Sequence, residues 1–419
     1  MFRIKKLIAF FCMLIVGSLQ ALLVEDAPTK IPYHRIFEYG LGMSEHTFKL
    51  YLSTGLDPYG AVTPVYLSRK NDLYFLEKKG YQTVQAGCFE QLTLADLKSC
   101  SSKQQSKGTF NVLEGPNNAD IRKLQADKKF NGATFQVASN FNALETVGPE
   151  QDIEQQLLSD YVFDATQGPA AALGAAAGLM QRRYELFNNL NNGESVPFSG
   201  ASLFGQRPCQ KYGLGERQVN LIHCICNEQT GIEMSPAGYV RLNNAIKDSS
   251  PLECDDFLQI KIGCQRATQV VFGAIDGHPS DSNTMIEVVP SWISCMPCYL
   301  NKQIINQVFV AAPDFGQGTN KRSPRADAWA KTILRAEYEG TLRMAHRCGS
   351  KDVILTWVGG GAFNNDPVWV VEILENLEPL IKSLGLNVYL AAYGFTPGQA
   401  KYRGRLEDLV AKTGGSWVK

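Results

Sequence analysis

The sequence predicts an α/β protein: a mixed, mainly parallel sheet flanked by helices, with an N-terminal extension and a mid-chain insertion. Three observations predict it. From residue 304 onward, apolar runs of strand length alternate with stretches of helical period. Those runs are apolar throughout, as strands buried on both faces are. A similar run, ATFQVAS at 133–139, precedes an Ala-rich helical stretch.

At the start of the chain, Arg3, Lys5 and Lys6 precede LIAFFCMLIVG, and SLQA follows with Ala21 at the cleavage position. Charge, then an apolar core, then small residues is the order of a secretory signal. The core is about 11 residues against the roughly 20 that a bilayer span needs. The expectation is a signal over 1–21, export to the periplasm, the medium or a host cell, and no stable membrane insertion after its removal. An uncleaved anchor is the rival reading.

Residues 22–129 read as an extension packed on the core, rich in aromatic residues (Tyr33, Phe37, Tyr39, Phe48, Tyr51) and ending in a polar loop at 99–108. Residues 130–419 read as the main domain. Its first strand, 133–139, ends at Asn140-Phe141-Asn142. Thr166-Gln167-Gly168-Pro169 then opens a helix, because Ala favours helix and Pro suits a first turn. Residues 190–300 read as an insertion with a strand pair near 258–263 and 269–272. Strands at 304–312, 352–358 and 387–393 follow, with helices at 327–347 and 367–384 between them. Ten cysteines follow the signal. Cys224/Cys226 and Cys295/Cys298 are too far apart to suggest zinc, so scattered disulfides or buried thiols are expected and no metal is assigned.

In open α/β sheets, ligands bind outside the carboxyl ends of strands. Those ends here carry Asn140 and Asn142, Asp314, and the run Gly359-Gly360-Gly361-Ala362-Phe363-Asn364. A glycine run between a buried strand and a helix can turn successive N–H groups toward an anion. It matches neither the P-loop nor the GxGxxG fingerprint. Lys+Arg and Asp+Glu are both 41, so a nucleic-acid partner, which needs a cationic surface, is not expected.

The strings QVASN, QGPAAALGAAAG, QVFVAAP and LTWVGGGAFNN, in this order, resemble the macrodomain and poly(ADP-ribose) glycohydrolase superfamily, in a divergent branch that includes bacterial effector hydrolases. The resemblance covers roughly 130–190 and 300–410. It implies a macrodomain-like sheet and an ADP-ribose or ADP-ribosylated-protein partner, with no cofactor. Asn140, and beside it Asn142, would meet the distal ribose. Gln167, Gly168 and Pro169 would line the first loop. Gly359, Gly360, Gly361, Ala362 and Phe363 would wrap the diphosphate, with Phe363 against the ribose and Asn364 alongside. The paired glutamates of the glycohydrolase signature are absent near Gly168.

Breaking a ribosyl bond passes through an oxocarbenium-like state that a carboxylate can stabilise, or relieve by activating water. Asp314 is the first candidate by its strand-end position, against an Asx-turn reading. Asp327 is the second, against a first-turn charge. Glu145 is the third, against a solvated helix face. The sequence therefore supports an ADP-ribosyl hydrolase, an ADP-ribose-binding module without turnover, or a secreted protein stapled by its cysteines.

Overall fold

The computed structural model describes residues 29–36, 38, 44–45, 65–78, 83–99, 107–146, 148, 157–164, 168–184, 195–197, 219–226, 231–235, 237–242, 254–276, 283–289, 302–316 and 320–419. The segment 1–21, Gln167, Cys295 and Cys298 lie outside them.

The central sheet is built on seven strands: β1 (Val84–Thr93), β2 (Thr109–Glu114), β3 (Thr134–Ala138), β4 (Lys261–Gln269), β5 (Ile304–Val310), β6 (Asp352–Thr356) and β7 (Asn387–Ala392). Their spatial order is β2-β7-β6-β3-β5-β4-β1. Trp417–Val418 extends the β2 edge, and three further short strands extend the β1 edge. From Trp417–Val418 to β5 all pairs are parallel, and from β5 outward all are antiparallel. This is the mixed α/β sheet expected from the apolar runs, with the parallel part in the middle.

Three of the seven strands lie where the sequence placed accessory structure, β1 and β2 in the extension and β4 in the insertion. Thr109–Glu114, assigned to the extension, sits inside the sheet beside β7, so the sheet begins before residue 130. Lys261–Gln269, assigned to the insertion, joins β5 to β1. β2 and β4 are short or bear polar residues, which hid them from a search for continuous apolar runs.

Helices cover both faces. On one side lie α3 (Pro324–Arg347), α4 (Pro367–Asn376) and α5 (Arg403–Thr413), which bury Tyr338, Leu342, Val371, Ile373 and Leu406 against β6 and β7. On the other lie α1 (Pro169–Gly174) and α2 (Ala176–Tyr184). The Ala-rich run is thus two helices, broken at Ala175 (ψ 58°). Likewise the expected helix over 367–384 is interrupted at Leu377. Helix α3 starts at Ser323, whose hydroxyl accepts the Ala326 N–H, and Pro324 follows.

β3 and β6 pair only at Thr134–Val353 and Phe135–Ile354, and then part. Their outer partners continue: β6 stays on β7 to Thr356, and β3 stays on β5 to Ala138. Parting strips the Thr356 N–H of a strand partner. The buried Gln136 supplies one, accepting that N–H at 3.0 Å and donating to Thr341 Oγ1 on α3 at 3.2 Å. Tyr338 braces the same strand end, donating to the Thr356 carbonyl at 2.6 Å and accepting from the Val358 N–H at 3.2 Å. Replacing Gln136 by Ala leaves the buried Thr356 N–H without its acceptor and the Thr341 hydroxyl oxygen without its donor. It should lower the unfolding free energy by about 2–4 kcal/mol, read by chemical denaturation.

Glu337 lies on α3 with neither carboxyl oxygen hydrogen-bonded among the described residues. Burial drives its pKa well above the ordinary carboxylate range, and the nearby Ala311 N–H offsets this only in part. A raised folded pKa means stability present at acid pH and lost as pH rises from the unfolded value toward the folded one. Glu337→Gln should therefore unfold at higher temperature than wild type at pH 8, and the gap should close toward about pH 4. Calorimetric scans across pH read it.

Candidate functional site

The parting of β3 and β6 opens a cleft of about 390 Å³ at the carboxyl ends of β3, β5, β6 and β7. The Asn140 corner forms one wall. The turn Gly359–Phe363 forms another, and Tyr393, Gly394, Thr396 and Gln399 close the far end. Two stretches more than 200 residues apart thus meet in one crevice, as the sequence required.

The corner is rigid. Asn140 Nδ2 donates to Thr146 Oγ1 at 2.5 Å and to the Ala237 carbonyl at 3.0 Å, and its Oδ1 has no partner among the described residues. Residues 219–226 and 237–239, which the sequence left as insertion, pack on this corner. The Phe141 N–H donates to the Gly238 carbonyl, and the Phe141 carbonyl accepts from the Leu221 N–H. They also supply Tyr239 to the cleft, where its ring lies 5.5 Å from that of Phe363. Burial pushes the Tyr239 phenol up to about 12, so it stays protonated at neutral pH. Asn142 does not reach the cleft. It is buried under Gly238, and its Oδ1 caps the Leu144 N–H at 3.0 Å.

The glycine turn begins in the left-handed region, with Gly359 at φ 72°. A Cβ there would stand 2.8 Å from Ala312 Cβ and 2.7 Å from Asn365 Nδ2, so only glycine fits. Asn365 ties the turn together, donating to the Pro313 carbonyl at 2.9 Å. Asn364, at φ 51°, points its carbonyl to Arg322. It does not line the cleft. Among the described residues the N–H groups of Gly361, Ala362 and Phe363 donate to no protein group. Three successive unspent donors bordering a cleft are a nest for an anion. Gly361 is exposed, with nothing within 4 Å of a Cβ built on it. Of the first loop, Pro169 lines the cleft. Gly168 is buried just before α1, where its carbonyl accepts the Ala172 N–H.

The three sequence-predicted carboxylates separate. Asp314, the first candidate, is buried outside the cleft lining, and its Oδ1 accepts the Gly316 N–H at 2.8 Å in an Asx turn. Asp327 lies on the first turn of α3, paired with Arg322 at 3.3 Å and away from the cleft. Glu145 does line the cleft, yet its side chain is fully buried and committed. Ser139 Oγ donates to it at 2.9 Å, and Arg182 lies 3.3 Å away, stacked 3.7 Å over the Phe309 ring. Burial raises its pKa against the pull of Arg182 and Ser139. Asp164, which no motif marked, is the half-buried carboxylate of the lining. It and Tyr239 escaped the sequence because both come from segments without helical or strand period.

Among the described residues Cys226, Cys264 and Cys348 are free thiols.

No known family's sequence profile matches the chain, and no curated protein matches it. Among solved structures, the chain is similar to the poly(ADP-ribose) glycohydrolase of Deinococcus radiodurans in complex with ADP-ribose. That likeness has 13% identity and a TM-score of 0.38, covering 77% of this chain and 95% of that one. The glycohydrolase of Thermomonospora curvata is similar at 13% identity and a TM-score of 0.35, covering 78% and 85%. These likenesses are distant, and nothing below rests on them.

Gly359→Ala should cost about 1–3 kcal/mol of stability through its backbone conformation and the Ala312 contact. Gly361→Ala should stay within about 0.5 kcal/mol of wild type. Thermal denaturation of the two variants reads the difference.

Proposed function

We propose that the chain binds ADP-ribose in this cleft and hydrolyses ADP-ribosyl bonds on protein side chains. The observation that carries the reading is the juxtaposition of the unspent Gly361–Phe363 amides with the Asn140 corner in one cleft. Its volume falls within the range of small-molecule sites. The amides take the diphosphate, and the unspent Oδ1 of Asn140 accepts from a ribose hydroxyl. Phe363 and Tyr239 offer ring faces beside that ribose. Asp164 is the carboxylate placed to take a proton from the water that attacks the anomeric carbon as the bond to the side chain breaks. Glu145, held by Arg182 and Ser139, fixes the corner. The charge order and short apolar run at the N-terminus support export of the protein.

A binding module without turnover is the second reading, favoured by the full engagement of Glu145 and by the absence of Asp314 and Asp327 from the cleft lining.

Calorimetry with ADP-ribose tests binding. Heat is expected with the wild type, and Asn140→Ala should weaken it by about 1–3 kcal/mol. Absence of heat with the wild type rejects both readings. Turnover is read as ADP-ribose released from peptides modified on serine, arginine or glutamate. Asp164→Asn should keep binding and slow release by about 10²–10⁴-fold. No release from any of the peptides by the wild type leaves the binding module.

A further inference from the structure

We propose that the N-terminal segment is part of the ligand site, with Glu45 the positioning residue that holds the Ser159–Asp164 turn, and so the Asp164 carboxylate, at the cleft wall. This rests on the ADP-ribose reading above.

The segment Ser159–Phe163 is a single short 3-10 helix. Such helices have poor hydrogen-bond geometry and little stability of their own. Its N-cap residue, Leu158, offers no side-chain cap. The N–H donors at its start are met from far away in the chain. Glu45 is buried, and one of its carboxyl oxygens accepts the Leu158 N–H. The other accepts both the Ser159 N–H and the Ser159 hydroxyl, each at 3.0 Å. A carboxylate at the amino end of a helix is favoured by the helix dipole as well as by these bonds. Asp160 takes the Leu157 N–H at 3.1 Å.

Other described residues of the N-terminal segment pack on or near the same turn. Thr29–Pro32 pairs as a strand with Met285–Val288, and Tyr33–Arg35 packs on Ser159–Phe163. Ile31 and Ile36 share a core cluster with Leu158, Tyr161 and Val162. On its other side the turn packs against α1, whose Pro169 also lines the cleft. Asp164 caps the end of the turn, its N–H donating to the Tyr161 carbonyl at 3.3 Å, and stands in the cleft lining. The turn is thus clamped between the N-terminal segment and the cleft, and Glu45 is the polar half of the clamp.

The test pairs amide exchange with calorimetry on the full chain. In E45Q the amide nitrogen faces N–H donors, so the Leu158, Ser159 and Asp164 amides should exchange faster than in wild type. Turnover is measured alongside: release of ADP-ribose from modified peptides should slow about tenfold, while calorimetry should find ADP-ribose affinity as in the wild type. S159A, which removes only the hydroxyl bond, should give a smaller loss in the same direction. It serves as the readout if E45Q does not fold. In a D164N background, E45Q should add no further loss, because its effect runs through that carboxylate. An equal further loss of release in the D164N background, or an unchanged release rate once those amides exchange faster, would overturn the proposal. No heat and no release with the wild type removes the reading beneath it, whereas wild-type release with an equal release by E45Q removes this inference alone.

Discussion

Gln136 is the constraint on which the site depends. Parallel strands held in register along their full length leave no room between their carboxyl ends. Here β3 and β6 part after two paired residues, and the Thr356 N–H would be left buried and unbonded. An orphaned donor of that kind costs about 1–3 kcal/mol. One glutamine side chain fills the gap from β3 and also holds α3 through Thr341. Tyr338 on the same helix braces the strand from the other side. The divergence that opens the cleft is therefore fixed at its root, and the glycine turn beyond Thr356 starts from a rigid base.

What the parted strands leave open, the less regular parts of the chain enclose. Leu221 and Gly238 hold the Asn140 corner through backbone bonds, and their neighbour Tyr239 joins the cleft lining. The segment before β1 holds the turn that ends in Asp164. These stretches carry little periodic signal because they bury side chains against an existing framework without forming long elements of their own. Their value lies in where they place a few polar groups. Loops on a rigid scaffold commonly supply such groups.

Much of the fold was legible for a simple reason. Strands buried on both faces must be apolar throughout, so β3, β5, β6 and β7 stood out. The glycine turn and Asn140 were legible because a turn at a strand end that allows close backbone approach needs glycine, and because strand ends gather ligands. Asp314 shows where that logic stops. Its place at a strand end is as read, but sequence position does not tell which way a short carboxylate turns, and this one turns into its own loop to meet Gly316. Asn142 fails for the same reason, spent on Leu144. Asp164 was out of reach because its position is set by Glu45, more than 100 residues earlier. β2 and β4 were hidden by polar residues such as Asn111, Gln265 and Thr268, each buried by contacts that only the folded sheet supplies.

The electrostatics of the cleft favour a small ligand over a polymer. The charged side chains in its lining are carboxylates, Glu145 and Asp164. Arg182 lies beneath Glu145 and neutralises it, so it offers nothing to solvent. An anion entering here meets no cationic side chain in the lining and is held by main-chain amides. Partial charges of that kind act over a few ångströms and demand close fit, whereas lysine and arginine attract at a distance. A long phosphate chain, drawn in by many cations, has nothing here to follow. In the proposed reading a single diphosphate on Gly361, Ala362 and Phe363 has three donors in sequence, and Glu145 stands at the Asn140 corner, where the ligand carries hydroxyls instead. In that reading the same arrangement sets the orientation of the ligand, with its phosphates at the turn and its sugar at the corner.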